Sequence, residues 1–242
     1  MLHLYDGGFD GLLTALFTVY ARRDADDEIQ REAQFDGLSL FPVCRVQTDP
    51  AKAARVMTGM RKLSSALPPV AYRAFLSEQP GMETALLQTL RIGFAHNEDP
   101  LALRHEEPVG KLLRLNDRVS REVELFLGTI RFVCAGGDVY LSDIAPDYHI
   151  LPLIGRHFHV RFGDQRLVIR DVRRRIALVS VPQAGWHLAV LPQGPLPPLP
   201  KDANEELWKA YFQAIANPAR INPKLQQRFV PLKYRKYIAE FQ

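Results

Sequence analysis

From residue 50 to residue 133 the apolar side chains recur at the spacing of amphipathic helices, and the β-prone runs are confined to the two flanks of that block. Strands that are sparse at one end and clustered at the other cannot alternate regularly with crossover helices. The pattern therefore predicts an α+β fold: a helical block with a small, mostly antiparallel sheet and a C-terminal helical segment. The glycine spacings that open a dinucleotide or nucleoside-triphosphate site, GxGxxG and GxxxxGKS/T, are absent from the sequence, so those readings lack an anchor.

Leu2–Tyr5 reads as a strand, Asp6-Gly7-Gly8 as a turn, and 9–23 as a helix in which Phe9, Leu12, Leu13, Leu16, Phe17 and Tyr20 share a face. The acid-rich stretch 24–36 follows as a loop, then a strand over 41–46 and a helix over 50–65 opened by Pro50. Pro68-Pro69 breaks the chain before helices over 70–76 and 82–95. Residues 109–133 form one or two helices, with Gly128 tolerated for a close packing contact. A short strand at 139–141 and a helix over 148–162 precede three strands, 166–171, 175–181 and 186–191. Residues 1–192 are thus expected to form an α+β body, 193–202 a stiff proline-rich linker, and 203–242 a helical segment packing on the body.

Of the 242 residues, 47% are hydrophobic and 24% charged, enough apolar material for a core without staples. Cys44 and Cys134 each lie in an apolar run, which reads as buried, reduced thiols in a cytoplasmic protein. Neither belongs to a CxxC or iron–sulfur spacing, so no metal and no cofactor is expected in this chain. No charged segment precedes an apolar run at the start, and no run approaches the ~20 apolar residues of a membrane span. Neither a signal peptide nor a membrane partner is expected.

A net charge of +4 is modest, and its distribution says more. One basic zone holds Arg156, Arg161, Arg166, Arg170, Arg173, Arg174 and Arg175. The second begins at Leu207, where Lys209, Arg220, Lys224, Arg228, Lys233, Arg235 and Lys236 stand against a single acid, Glu240. Trp208, Tyr211, Phe212, Phe229, Tyr234, Tyr237 and Phe241 are threaded among them. Cations of this density suit a phosphate backbone, and interleaved rings suit stacked bases. DNA is the expected partner, with Arg161, Arg170, Arg173, Arg174, Arg175, Arg220, Lys224, Arg228, Lys233, Tyr234, Arg235 and Lys236 as candidate contacts. Surface pairing of the arginines with nearby acids is the plainer alternative, and Trp208, Tyr211 and Phe212 equally suit an apolar helix face.

Chemistry is less legible. Asp6, Glu122, His157 and Asp171 are the candidates for general acid–base work, but nothing in the sequence brings any two together. His157 and His159, two apart, diverge on a helix and so do not share a metal. Asp6-Gly7-Gly8 reads as a cap and turn, with an anion-binding nest as its alternative.

Several stretches together resemble one family: Tyr5-Asp6-Gly7-Gly8-Phe9-Asp10-Gly11; Arg121-Glu122 with Phe126-Leu127-Gly128 and Arg131-Phe132; Pro146-Asp147-Tyr148-His149-Ile150-Leu151-Pro152-Leu153; and Asp171 with Arg173-Arg174. Trp208, Tyr211, Asn217-Pro218-Ala219-Arg220 and Pro231 with Tyr234 complete the set. They are similar to putative DNA metabolism proteins encoded beside a radical-SAM enzyme related to spore photoproduct lyase. The same domain precedes certain uracil-DNA glycosylases. The resemblance implies a setting in DNA repair or base modification, with the radical-SAM partner on a separate polypeptide. Where that family's pattern implies a histidine two residues after Glu122, this chain carries Glu124.

Three readings stand at this point. The first is a DNA-binding accessory protein acting with the radical-SAM enzyme. The second is a metal-independent enzyme acting on DNA or nucleotides, and the third is an adaptor that binds the partner enzyme and never touches DNA.

Overall fold

A computed structural model describes residues 1–22, 27–200, 210, 224, 227, 230–235 and 237. The chain is an α+β protein whose contacts cluster into two compact units, Met1–Ser120 and Arg121–Gln242. This boundary lies inside the expected 1–192 body. Among the described residues no helix is long and apolar enough to cross a membrane.

The first unit opens with strand β1 (Leu2–Tyr5), helix α1 (Phe9–Arg22), and strands β2 (Glu28–Arg31) and β3 (Val43–Arg45). The strands form one parallel sheet in the order β2-β1-β3. β1, α1 and β2 therefore make a βαβ unit, a departure from the expected acidic loop over 24–36. The signal was weak because Glu28, Gln30 and Arg31 have little strand propensity and only Ile29 of the four is apolar and buried. Asp24 and Asp26 of that zone lie outside the described residues. Asp27 is buried, beside the Nε2 of His3 at 3.3 Å and the Met1 amine at 3.0 Å.

Helices α2 (Pro50–Leu63), α3 (Leu67–Leu76) and α4 (Met82–His96) follow; α4 joins α1 against the sheet, while α2 packs on α1 and α3 bridges α2 and α4. Asp49 caps α2 by accepting the N–H groups of Ala51 and Lys52, ahead of Pro50 in the first turn. Pro68-Pro69 does not break the chain. It sits in the first turn of α3, where the missing N–H groups have no helical partner to lose. Leu4, Tyr5, Leu12, Leu16, Met60, Leu67 and Leu86 form the core of this unit.

The unit boundary falls within α5 (Glu107–Thr129). The helix stops before Val133, which instead pairs with Leu141 in β4 (Val133–Cys134). A Cβ on Gly128 would meet nothing within 4 Å among the described residues, so the expected packing contact is not found there. Strand β5 (Val139–Ile144), helix α6 (Leu151–Phe162) and strands β6 (Arg166–Asp171), β7 (Ile176–Val181) and β8 (Gly185–Val190) follow. The sheet order is β4-β5-β6-β7-β8, antiparallel except for β5 and β6, between which α6 crosses over.

One face of this sheet packs on α6. Leu167 and Ile169 of β6 stand opposite Ser180 and Leu178 of β7, and His159 of α6 bonds the Ser180 hydroxyl at 2.8 Å. Gly155 lets the Trp186 ring lie against the helix backbone; a Cβ there would stand 2.6 Å from the indole. The expected burial of both thiols is not found, since Cys134 is exposed on the edge strand and Cys44 is half-buried. A last short helix, α7 (Leu232–Arg235), ends the described elements.

Candidate nucleic-acid interface

The loop 146–148, between β5 and α6, is short and irregular, so its backbone groups need partners from elsewhere. Glu122, buried on α5, provides two of them. Its carboxylate accepts the N–H of Asp147 and that of Tyr148, each at 2.8 Å. The hydroxyl of Tyr234, from α7, donates to the same carboxylate, and its ring packs edge-on against Phe126 at 5.0 Å. Burial, the Glu122 bond and the neighbouring carboxylates push the Tyr234 hydroxyl well above its usual range.

The carbonyls of the loop are held by other residues. Asp171, fully buried at the end of β6, accepts the N–H groups of Arg173 and Arg174 at 3.0 and 3.1 Å, which sets the β6–β7 turn. Its other oxygen takes the Arg174 guanidinium at 3.0 Å. That guanidinium also donates to the carbonyls of Pro146 and Asp147, at 3.1 and 2.7 Å. Arg173 donates to Pro146 O at 3.0 Å and to the Asp147 carboxylate at 3.2 Å, and Lys233 pairs with the same carboxylate. Glu122 thus holds the N–H groups of the loop directly, and Asp171 holds its carbonyls through Arg174. Both are fully engaged as structural acceptors.

The remaining candidates fall elsewhere. Arg170 is buried, forks onto Asp143 of the neighbouring strand, and donates to Pro197 O at 3.0 Å, which ties the proline-rich segment to the sheet. Arg175, at a left-handed position in the turn, donates to Pro192 O. Arg235 donates to Val230 O at 3.1 Å, and Lys224 is exposed. Arg220, Arg228 and Lys236 lie outside the described residues, as do Trp208, Tyr211 and Phe212. Asp6, in the first unit, accepts Gly8 N–H at 2.8 Å and the Thr48 hydroxyl at 2.7 Å. It covers the first turn of α1 so closely that a Cβ on Gly11 would come within 2.1 Å of its oxygen. Asp6 thus sets the turn before α1 and crosslinks it to Thr48.

The outward face of α6 is different. Arg156, His157, Val160 and Arg161 are exposed there, and no described acid pairs with either arginine. His157 meets Phe158 edge-to-face at 5.0 Å. Arg161 was among the contacts expected from sequence. Arg156 was not, although its spacing on an expected helix already placed it with His157 and Arg161. The roles of Asp143 and Asp147, which hold the buried and turn arginines, depend on strand pairing and loop geometry and leave no signal in the sequence.

Residues 80–240 match a family described as a domain of unknown function, DUF4130. The chain belongs to that family. No curated protein and no solved structure matches it. The DUF4130 match takes in Glu122, Asp147, Asp171, Arg173, Arg174, Lys233 and Tyr234. Many of the residues that carry the sequence resemblance therefore meet in one place: the clamp on loop 146–148.

Proposed function

We propose that this DUF4130 protein is a DNA-binding accessory protein in DNA repair or base modification, working beside a separate radical-SAM enzyme. The observation that carries the DNA half of the reading is the α6 face, where Arg156 and Arg161 project with no acid paired to them among the described residues, on a helix packed against the sheet. Exposed guanidiniums on a regular helix supply forked phosphate contacts in a fixed register. In this reading the buried Arg170 and the clamping Arg174 are supports for that face. Arg173 and Lys233, each about half exposed at 54% and 51%, extend the cationic rim around Asp147. The radical-SAM half rests on the sequence resemblance alone.

The test is fluorescence anisotropy of labelled single- and double-stranded DNA across a salt series. Arg156→Glu with Arg161→Glu is the variant of choice, because charge reversal at Lys233 would also disturb the clamp. The wild type should bind with a steep salt slope. The double variant should lose about tenfold or more in affinity and flatten the slope by about two. Absence of binding at low salt, or a slope unchanged in the variant, would sink the reading. Co-expression with the radical-SAM enzyme, followed by purification at high salt, tests the partner half by whether a complex persists.

A further inference from the structure

The first unit contains a cavity of about 250 Å³ that the DNA reading does not use. Leu16, Phe17 and Tyr20 of α1, Arg55 of α2, and Leu90 and Phe94 of α4 line it. Its floor is aliphatic and dry: Leu16 and Leu90 are 1% and 3% exposed. Its mouth is aromatic and open. Tyr20 and Phe94 are 45% and 36% exposed, with rings set edge-to-face at 5.5 Å. Gly59 makes room for this arrangement, because a Cβ there would stand 2.9 Å from the tip of the Phe94 ring.

One charge lies among the lining residues. The Arg55 guanidinium sits 5.0 Å over the Phe17 ring, and no described acid pairs with it. Close-packed interiors leave few voids larger than a water. An open apolar hollow lined by a single cation, with no acid paired to it among the described residues, has instead the composition of a ligand site. Size bounds the ligand. An apolar cavity of about 150 Å³ holds benzene, and pockets for drug-sized molecules start near 300 Å³, which leaves room here for one ring or two fused rings. Ring edges favour a planar aromatic body, and a guanidinium at the rim favours a carboxylate head. We infer that this unit binds a small aromatic carboxylate, its rings among Phe17, Tyr20 and Phe94 and its carboxylate on Arg55.

The test uses the full chain, with 2-naphthoate as probe and 2-naphthalenemethanol as its uncharged counterpart, by calorimetry and ligand-observed NMR. Naphthoate should bind saturably at one site, about tenfold more tightly than the alcohol. Arg55→Gln should erase that preference while leaving the alcohol unaffected. Val56→Trp, which fills the cavity from α2, should remove both, with circular dichroism reporting the fold. Arg55 is exposed, so its variant keeps the test decisive even where Val56→Trp fails to fold. The inference is overturned by absence of saturable binding up to millimolar naphthoate, or by a preference that survives Arg55→Gln. Equal affinity for acid and alcohol in the wild type also overturns it, and would mark a seat for an uncharged apolar group such as a partner's side chain.

Discussion

Each unit buries a tyrosine whose hydroxyl donates to a glutamate, and the surroundings give the two pairs different work. In the first unit Tyr5, at the end of β1, donates to Glu83 in the first turn of α4 at 2.9 Å. Arg31, at the end of β2, completes the group: its Nε donates to the Tyr5 oxygen at 3.0 Å and its Nη2 to Phe75 O at 2.9 Å. Side chains there brace side chains, and Arg31 keeps alternative acceptors in Glu78 and Glu83 at 3.6 and 3.9 Å. In the second unit Glu122 serves two backbone N–H groups as well as Tyr234, so one carboxylate carries both loop backbone and a side chain. A network with spare partners degrades gradually, whereas one buried carboxylate that several donors share fails for all of them at once.

The sharpest break in the comparison is removal of each acid. Glu122→Ala removes an acceptor from three donors at once and should cost about 3–5 kcal/mol, while Glu83→Ala leaves Arg31 with other acceptors and should cost about 1–3 kcal/mol. Urea denaturation with matched m values measures both, and an equal or larger loss for Glu83→Ala would overturn the distinction.

Alkali should expose what the pairs share. Burial first, then the neighbouring glutamate, raises both tyrosines above the ordinary value of 10.0. The folded state keeps protons that the unfolded chain releases. This stabilisation is therefore complete below pH 10 and is lost as pH rises from there toward the folded values. Melting temperatures should fall above pH 10, less steeply in Tyr5→Phe or Tyr234→Phe and least in the double variant. An unchanged slope in the double variant would assign the alkaline loss to other groups.

Two glycines of the second unit sharpen the picture on a smaller scale. Gly155→Ala pushes a methyl into the Trp186 ring and should destabilise by about 1–3 kcal/mol. Gly128→Ala, on the exposed face of α5, meets no atom of the described residues and should stabilise by about 0.5–1 kcal/mol. Thermal melts with opposite signs are the expected result. Smallest of all, the Arg156→Glu, Arg161→Glu pair should move stability by no more than about 0.5 kcal/mol, so any loss of DNA affinity reads as lost contact.

Most helices, the C-terminal strand cluster and the α+β class were legible because apolar periodicity reports which faces are buried, whatever they are buried against. The parallel N-terminal sheet was not, because β2 owes its conformation to the ladder with β1 and hardly to its own residues. The site divides along the same line. Sequence determined that this chain is rich in arginine between residues 156 and 175 and that α6 carries some of it outward. Only the tertiary structure decided which arginines are engaged. Strand register set Arg170 beside Asp143, and the β6–β7 turn aimed Arg173 and Arg174 at loop 146–148, leaving Arg156 and Arg161 facing solvent. Charge is written residue by residue, but pairing depends on distances between residues far apart in the chain, and folding alone sets those.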